Sequence, residues 1–294
     1  MIRRGQCSRG YNVPIARTSQ DRSERLGLSV LCGALVLLLF TGSTMSAFAV
    51  SPYSSALLDY WSFNQSGTTA TDQVGTQNAT LVNGASIGTG VSGTGLSLTM
   101  TGGFQYADAG TDAAMNFGSG GFTINAWINP TSYSSSGSLI VAHLSGAYGN
   151  GWCFLLYGTG QLVLSDYGTW GSQAGQQGGV VALNKWTMVT VTGSGGSYSL
   201  YENGVLSDSF SESAIQASSS DLTIGGVSGL FGFNGGIDEV GIWNQALGTS
   251  QVSTLYNGGS GLFLPEPSLG MLIVMLVPAL VAAAHRSKRN VGAR

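Results

Sequence analysis

The sequence predicts an all-β fold in which two antiparallel sheets pack as a sandwich, the arrangement of a jelly roll. Short runs of β-branched and aromatic residues recur between turns that are rich in Gly, Ser and Thr. Strict alternation in Phe122–Asn129 places Phe122, Ile124, Ala126 and Ile128 on one predicted strand face. Almost no segment has helical periodicity. Many short strands with very little helix are typical of a β-sandwich.

The predicted strands follow one another at short intervals. One hairpin is marked by Asn203-Gly204, the residue pair that a type I′ turn favours. One helix is predicted over Thr249–Asn257, because Val252, Leu255 and Tyr256 share a helical face. In chain order the predicted strands are Leu57–Phe63, Ala79–Val82, Leu96–Met100, Phe104–Ala107, Phe122–Asn129, Leu139–Leu144, Trp152–Tyr157, Gln161–Ser165, Trp186–Thr192, Tyr198–Glu202, Val205–Phe210, Leu222–Ile224 and Ile237–Trp243.

Large aromatic residues within these strands are the predicted core. Each would bury a large apolar area; they are Trp61, Phe63, Trp127, Trp186 and Trp243. Cys153 lies in an apolar run, so we expect a buried thiol that is chemically inert.

The N-terminus has the architecture of a signal peptide over residues 1–49. Six arginines precede residue 26, Leu26–Phe40 is apolar, and Ala47-Phe48-Ala49 offers a cleavage site. We therefore expect the mature protein to start at Val50. The alternative is an uncleaved membrane anchor, since the basic region is unusually long.

The C-terminus, residues 261–294, has three parts in sequence. Pro265-Glu266-Pro267 precedes Ser268–Ala284, an uncharged segment whose 17 residues would form a helix of about 25 Å. That length is near the lower limit for crossing a bilayer, and a buried core helix is the alternative. The basic residues that follow should stay cytoplasmic; they are Arg286, Lys288 and Arg289.

These three C-terminal parts together resemble the PEP-CTERM sorting signal of Gram-negative bacteria. The resemblance implies export across the inner membrane, with transient residence there through residues 268–284. It further implies processing by an exosortase and a place at the cell surface or in the extracellular matrix. Proteins with this signal are often associated with extracellular polysaccharide and biofilm.

Charge is distributed very unevenly along the chain. The whole sequence has a formal net charge of −3, but most of its basic residues lie in the two terminal segments. Residues 50–264 contain eleven Asp and Glu residues but only one Lys or Arg residue, Lys185, which gives a net charge of −10. Nucleic-acid binding needs Lys and Arg against phosphate, so this acidic domain is not expected to bind it.

The order of blocks within residues 50–260 carries a second resemblance. The blocks are Leu58–Phe63, Asp72–Gly75, Ala79–Gly84, Phe122–Ile128, Asn184–Thr192, Leu200–Gly204 and Gly236–Leu247. In this order they resemble the LamG-like group of the concanavalin A-like lectin/glucanase superfamily, whose fold is a two-sheet antiparallel jelly roll.

The resemblance implies a structural calcium ion at the rim of the sandwich. The matching residues are Asp72 and Asp238, with oxygens near Gln77 and Asn78 as helpers, and hard oxygen donors suit this ion. Many relatives carry an acidic residue where this chain has Asn64 and Gln65. The alternative is that Asp72 caps a turn and Asp238 accepts hydrogen bonds from the backbone.

Carbohydrate binding would need aromatic platforms and amide or carboxylate hydrogen bonds in a groove. Tyr148, Tyr167 and Trp170 lie in or beside Gly-rich loops and are the candidates, while Trp152 is expected in the core. The domain's only glutamates are Glu202, Glu212 and Glu239, and they form no glucanase motif. We therefore expect no catalytic residues.

The sequence thus predicts a non-catalytic, surface-sorted module that binds glycan or protein in the extracellular matrix. The alternatives are a purely structural matrix component and a glycan-active hydrolase.

Overall fold

The structure, a computed structural model, describes residues 55–91, 95–144, 149–165 and 177–261. All belong to the compact unit Val50–Arg294. The strands are β1 Leu57–Trp61, β2 Thr69–Ala70, β3 Ala79–Val82, β4 Ser86–Thr89, β5 Leu96–Thr101, β6 Tyr106–Thr111, β7 Phe122–Pro130, β8 Ser138–Leu144, β9 Gly151–Tyr157, β10 Gln161–Ser165, β11 Gln177–Val180, β12 Thr187–Ser194, β13 Ser197–Glu202, β14 Val205–Ser211, β15 Asp221–Ile224 and β16 Asn234–Trp243.

These strands form two antiparallel eight-stranded sheets, so the predicted all-β, two-sheet architecture is confirmed. The first sheet has the order β14-β13-β12-β7-β16-β5-β4, and β1 also pairs with β16. The second has the order β11-β10-β9-β8-β15-β6-β3-β2. Strands β2, β4 and β11 were not expected. They are short or rich in Gly and Ser, so their β-propensity is low. Pairing with a neighbouring strand holds them in the extended conformation.

Strand β16 has a different neighbour along each half of one edge. Its first half pairs with β5, from Asn234 opposite Thr101 to Ile237 opposite Leu98. Its second half pairs with β1, from Val240 opposite Trp61 to the end of the strand. Between them lies a bulge at which Glu239 has a φ of 52°. Along its other edge, β16 pairs with β7.

The main core lies between the two sheets and contains the predicted alternating face of β7. Phe122, Ile124, Ala126 and Ile128 are all buried there, as predicted. Trp61 and Phe63 join them from the first strand and the residues after it. The buried thiol of Cys153 is also as predicted, although it packs in a separate cluster with Leu139 and Leu155.

A second apolar cluster covers the outer face of the first sheet. The helix α1, Thr249–Tyr256, buries Val252 and Leu255 against it, close to the predicted helix. Trp127 and Trp243 belong to this cluster rather than to the main core, and Trp186 packs partly buried against it. The helix ends at Asn257, whose φ of 48° is left-handed, one residue before the Gly258 expected in that role.

The predicted hairpin turn between β13 and β14 is also present. Asn203 and Gly204 have φ values of 50° and 77°, as a type I′ turn requires. Glycine is needed at the second position for another reason too. A Cβ on Gly204 would lie 2.8 Å from the Cβ of Tyr256, so the turn packs directly against α1.

Candidate functional site

Most residues that the sequence singled out for binding or sorting lie outside the described residues. Among the predicted glycan-binding residues these are Tyr148, Tyr167 and Trp170. Within the sorting motif they are Pro265, Glu266, Pro267, Arg286, Lys288 and Arg289. Trp152 is described, and it is fully buried with its indole N–H donating to the Met115 carbonyl at 2.9 Å. It is a core residue, as expected.

A groove of about 630 Å³ lies at one end of the sandwich, and we call it the end groove. Three loops form it, residues 102–105, 131–137 and 225–233, together with Tyr157 at the end of β9. Its lining combines aromatic rings, hydroxyl groups, one amide and several glycines. The lining residues are Thr101, Gly102, Gly103, Phe104, Ser132, Ser134, Ser135, Ser136, Ser138, Tyr157, Gly229, Leu230, Phe231, Gly232 and Asn234.

The first loop holds an aromatic ring out toward solvent. Gln105 Oε1 accepts from the Thr101 N–H at 2.6 Å and from its hydroxyl at 3.2 Å, while Gln105 Nε2 donates to the Gly84 carbonyl. Asn83 Nδ2 donates to the Phe104 carbonyl at 2.9 Å. These bonds fix the backbone on both sides of Phe104, whose side chain nevertheless stays 57% exposed.

The first and third loops touch through glycine backbone. A Cβ on Gly232 would lie 2.2 Å from the Gly103 carbonyl oxygen, so no side chain fits at this contact. Phe231 beside it has a φ of 55°, and its carbonyl accepts from the Leu139 N–H at 2.9 Å. The third loop is therefore anchored both to the first loop and to β8.

Asn234 ties the second loop to the start of β16. Its Oδ1 accepts from the Thr131 hydroxyl at 2.9 Å, and its Nδ2 donates to the Ser132 hydroxyl at 2.8 Å. The Thr131 N–H also donates to the Asn234 carbonyl at 2.8 Å. Asn234 is thus a positioning residue for the serine-rich wall.

The chemistry of the end groove is that of recognition. Exposed aromatic carbon lies next to hydroxyl and amide groups that can donate and accept hydrogen bonds. None of the lining residues carries a carboxylate, an imidazole, a thiol, an amine or a guanidinium. Glycoside hydrolysis typically uses a pair of carboxylates, and none is among the described residues that line the groove.

Sequence reasoning did not find this site. Phe104 was expected to begin a strand, but β6 starts at Tyr106 and Phe104 lies in the preceding turn. The signal that could have identified it is Gly102-Gly103, a breaker pair directly before an aromatic residue. Asn234 offered no such signal, because its role depends on a loop about a hundred residues away.

A second pocket of about 280 Å³ does contain carboxylates. Asp108 on β6 and Asp221 on β15 line it, beside Tyr106 and several serines. Burial, followed by the negative charges of Asp108 and Asp221, raises the pKa of the Tyr106 hydroxyl. This pocket is the alternative location for hydrolytic chemistry.

Asp72, a predicted calcium ligand, caps its own loop. Its Oδ1 accepts from the N–H groups of Tyr60, Val74 and Gly75, each at 3.0 Å. Its Oδ2 accepts from the Gln77 N–H at 2.9 Å, and the Asp72 N–H donates to Asn78 Oδ1 at 3.0 Å. Asp72 therefore caps its turn, as the alternative interpretation expected, and Asn78 supports the same loop.

Asp238, the other predicted ligand, is buried at the β16 bulge. Its Oδ2 accepts from the Val91 N–H at 3.0 Å and its Oδ1 from the Glu239 N–H at 2.9 Å. Burial raises its pKa to about 7, although both hydrogen bonds oppose the shift. Within residues 55–91, 95–144, 149–165 and 177–261, no three His, Cys, Asp or Glu side chains are grouped to hold a metal. Calcium binding stays a prediction.

Asp59, which the sequence did not single out, lies beside Asp72. Burial raises its pKa to about 8, helped by a side-chain hydrogen bond to Asp72 and by the charges of Asp72 and Asp112. A Cβ on Gly75 would lie 2.4 Å from Asp59 Oδ1 and 2.6 Å from Asp72 Oδ2. Only glycine fits over these two side chains, and the raised pKa keeps the Asp59 carboxyl protonated at neutral pH.

The described part of the chain contains no helix that is long and apolar enough to cross a membrane. The predicted transmembrane segment Ser268–Ala284 lies outside it.

The chain is similar to one family by sequence. A laminin G-type family model, described as the concanavalin A-like lectin/glucanases superfamily, matches residues 101–253, just over half of the chain. No curated protein sequence matches.

Solved structures share the fold at low sequence identity. Domain 4 of an extracellular arabinanase from Geobacillus stearothermophilus, in complex with arabinotriose, has a TM-score of 0.54 at 18% identity, over 68% of this chain and 97% of that domain. A Trypanosoma rangeli sialidase in complex with sialic acid has a TM-score of 0.54 at 17% identity, over 69% of this chain and 33% of the sialidase. The binding domain of Paraclostridial Mosquitocidal Protein 1 has a TM-score of 0.51 at 18% identity, over 70% of this chain and 53% of that domain's chain.

Asp59→Asn is expected to flatten the pH dependence of stability. Folded Asp59, with its pKa of about 8, keeps its proton up to about pH 8, whereas the unfolded chain releases it near the ordinary pKa of 3.8. Its contribution to stability is therefore full below about pH 4 and is lost as the pH rises toward 8. Between pH 5 and pH 8, the unfolding free energy of the wild type should fall by at least about 1 kcal/mol more than that of the variant.

Urea denaturation in the presence of EDTA measures this difference. Asp208→Asn is the control, because Asp208 is only partly buried on β14. Equal pH slopes for Asp59→Asn and the wild type would contradict the raised pKa of Asp59.

Proposed function

The chain belongs to the concanavalin A-like lectin/glucanase superfamily, and we propose that its sandwich is a non-catalytic module that binds glycan in the end groove. The observation that carries this proposal is the groove's lining. Phe104 offers an apolar surface for the C–H face of a sugar ring, and the surrounding serines and Thr101 can bond sugar hydroxyls.

The rigid support of the lining favours binding further. Gln105, Asn83 and Asn234 hold the loops by hydrogen bonds that are already made in the unbound protein. A preorganised site loses less conformational entropy when its ligand binds, so more of the contact energy appears as affinity. The arabinanase domain adds support at the level of the fold, since almost all of it matches this chain and its structure is a complex with arabinotriose.

Phe104→Ala is expected to weaken glycan binding at least tenfold, which corresponds to about 1.4 kcal/mol. The reason is that the substitution removes the exposed ring and leaves the loop's hydrogen bonds to the Phe104 backbone in place. Titration of ligands identified on a glycan array measures the loss. Phe104→Trp should retain binding, because it keeps an aromatic face.

Leu206→Ala is the matched control, since Leu206 is similarly exposed, at 46%, but lies on β14 outside the groove. Equal affinities of Phe104→Ala and Leu206→Ala would contradict the proposal. Absence of wild-type binding to every array glycan would favour the alternative, a purely structural matrix component.

A glycan-active hydrolase is the other alternative, and the pocket with Asp108 and Asp221 is its best location. We expect no release of reducing sugar from any glycan that binds. Release that disappears in Asp108→Asn or Asp221→Asn would overturn the non-catalytic proposal.

Calcium is proposed as a structural ion only, at Asp72, Asn78 and Asp238. Oxygen donors suit it, but the hydrogen bonds described above already occupy these oxygens. If the ion binds, Ca²⁺ should raise the thermal stability of EDTA-treated protein, and Asp238→Asn should reduce that gain. Unchanged stability on addition of Ca²⁺ would leave Asp72 as a loop cap alone.

Export and surface sorting are proposed from the sequence of the two termini. The signal peptide would be removed before Val50, and an exosortase would process the region at Pro265-Glu266-Pro267. We expect replacement of this tripeptide by alanines to retain the protein in the inner membrane through Ser268–Ala284. Normal arrival at the cell surface would refute the sorting proposal, and a mature protein that keeps Met1 would refute signal-peptide cleavage.

A further inference from the structure

We propose that the end groove selects uncharged glycans and excludes glycans that carry carboxylate groups. This inference rests on the proposed glycan-binding function and specifies the ligand class of the same site. It follows from three properties of the protein, namely the absence of cations in the lining, the internal use of backbone donors, and the charge of the domain.

The first property is that the lining offers no cation to an acidic sugar. A carboxylate that leaves water needs a charged or strongly donating partner, and Arg and Lys are the usual ones. Every lining side chain is uncharged at neutral pH. Lys185, the only basic residue between residues 50 and 264, does not line the groove.

The second property is that key backbone N–H groups of the loops already donate within the protein. Such groups could otherwise bind an anion. Thr101 donates to Gln105, Gly137 to the Ser134 carbonyl, and Leu230 to the Val227 carbonyl. These N–H groups would have to break an internal hydrogen bond before they could donate to a carboxylate.

The third property acts before contact. The domain carries a net charge of −10, so a polyanion that approaches it meets repulsion. This repulsion is screened by salt, since the Debye length falls from about 10 Å at 0.1 M to about 3 Å at 1 M. Salt should therefore reduce the long-range part of the discrimination and leave the part that arises within the groove.

Pairs of polymers with one backbone test the inference. Hydroxyethyl cellulose, dextran and linear arabinan are the neutral probes, and each is also prepared in a carboxymethylated form. Any further neutral glycan that binds on the array is carboxymethylated and added. Affinities are measured in EDTA, so that divalent ions form no bridges, at 0.05 M and 0.5 M NaCl.

For each neutral polymer that binds, we expect its carboxymethylated form to bind at least tenfold more weakly at 0.05 M NaCl. The gap should narrow, but persist, at 0.5 M. Equal or tighter binding of a carboxymethylated form would overturn the inference while leaving glycan binding intact. Binding of no polymer in either form would overturn both.

A charge introduced at the rim supplies the second test. Ser135 is exposed in the second loop, and Ser135→Lys places a cation beside the groove. It should raise the affinity for the carboxymethylated polymer, relative to the affinity for the neutral polymer, at least threefold. Ser135→Gln, which adds length without charge, should improve neither. Equal effects of the two variants would contradict the assignment to charge.

Discussion

The architecture depends on the backbone pairing of one strand. Strand β16 pairs with β7 along its whole length, and on its other edge it pairs first with β5 and then with β1. The change of partner occurs at a bulge, where Asp238 is buried and accepts hydrogen bonds from Val91 and Glu239. A buried carboxylate is costly without such donors, so the bulge, the carboxylate and the nearby chain depend on one another.

The same strand connects the core to the candidate site. Its first residue, Asn234, holds the serine-rich wall of the end groove, and its last residue, Trp243, packs in the cluster beneath α1. Since the strand is fixed by pairing on both edges, the groove wall is attached to the most constrained part of the molecule. Preorganisation of the groove is thus a property of the sheet as much as of the loops.

The sequence could predict the sandwich because its elements depend on local pattern. Alternation in β7, the Asn203-Gly204 turn and the face of α1 are each set by neighbouring residues, and the structure confirms them. The groove could not be predicted, because it joins loops from three distant parts of the chain. The local pattern predicts Phe104 as a strand residue, whereas hydrogen bonds made by the Asn83 and Gln105 side chains hold it in a turn. Asp59 could not be identified for a similar reason, since its raised pKa depends on burial and on the proximity of Asp72 in space.

The contact between Gly103 and Gly232 limits how the groove can change. A Cβ at residue 232 would overlap the carbonyl of Gly103, so position 232 admits no residue larger than glycine. The serine wall is different, because Ser135 and Ser136 are exposed and can be enlarged without moving the backbone. New sugar preferences, whether they arise by natural variation or by engineering, would therefore be introduced more readily through the serine wall than at residue 232.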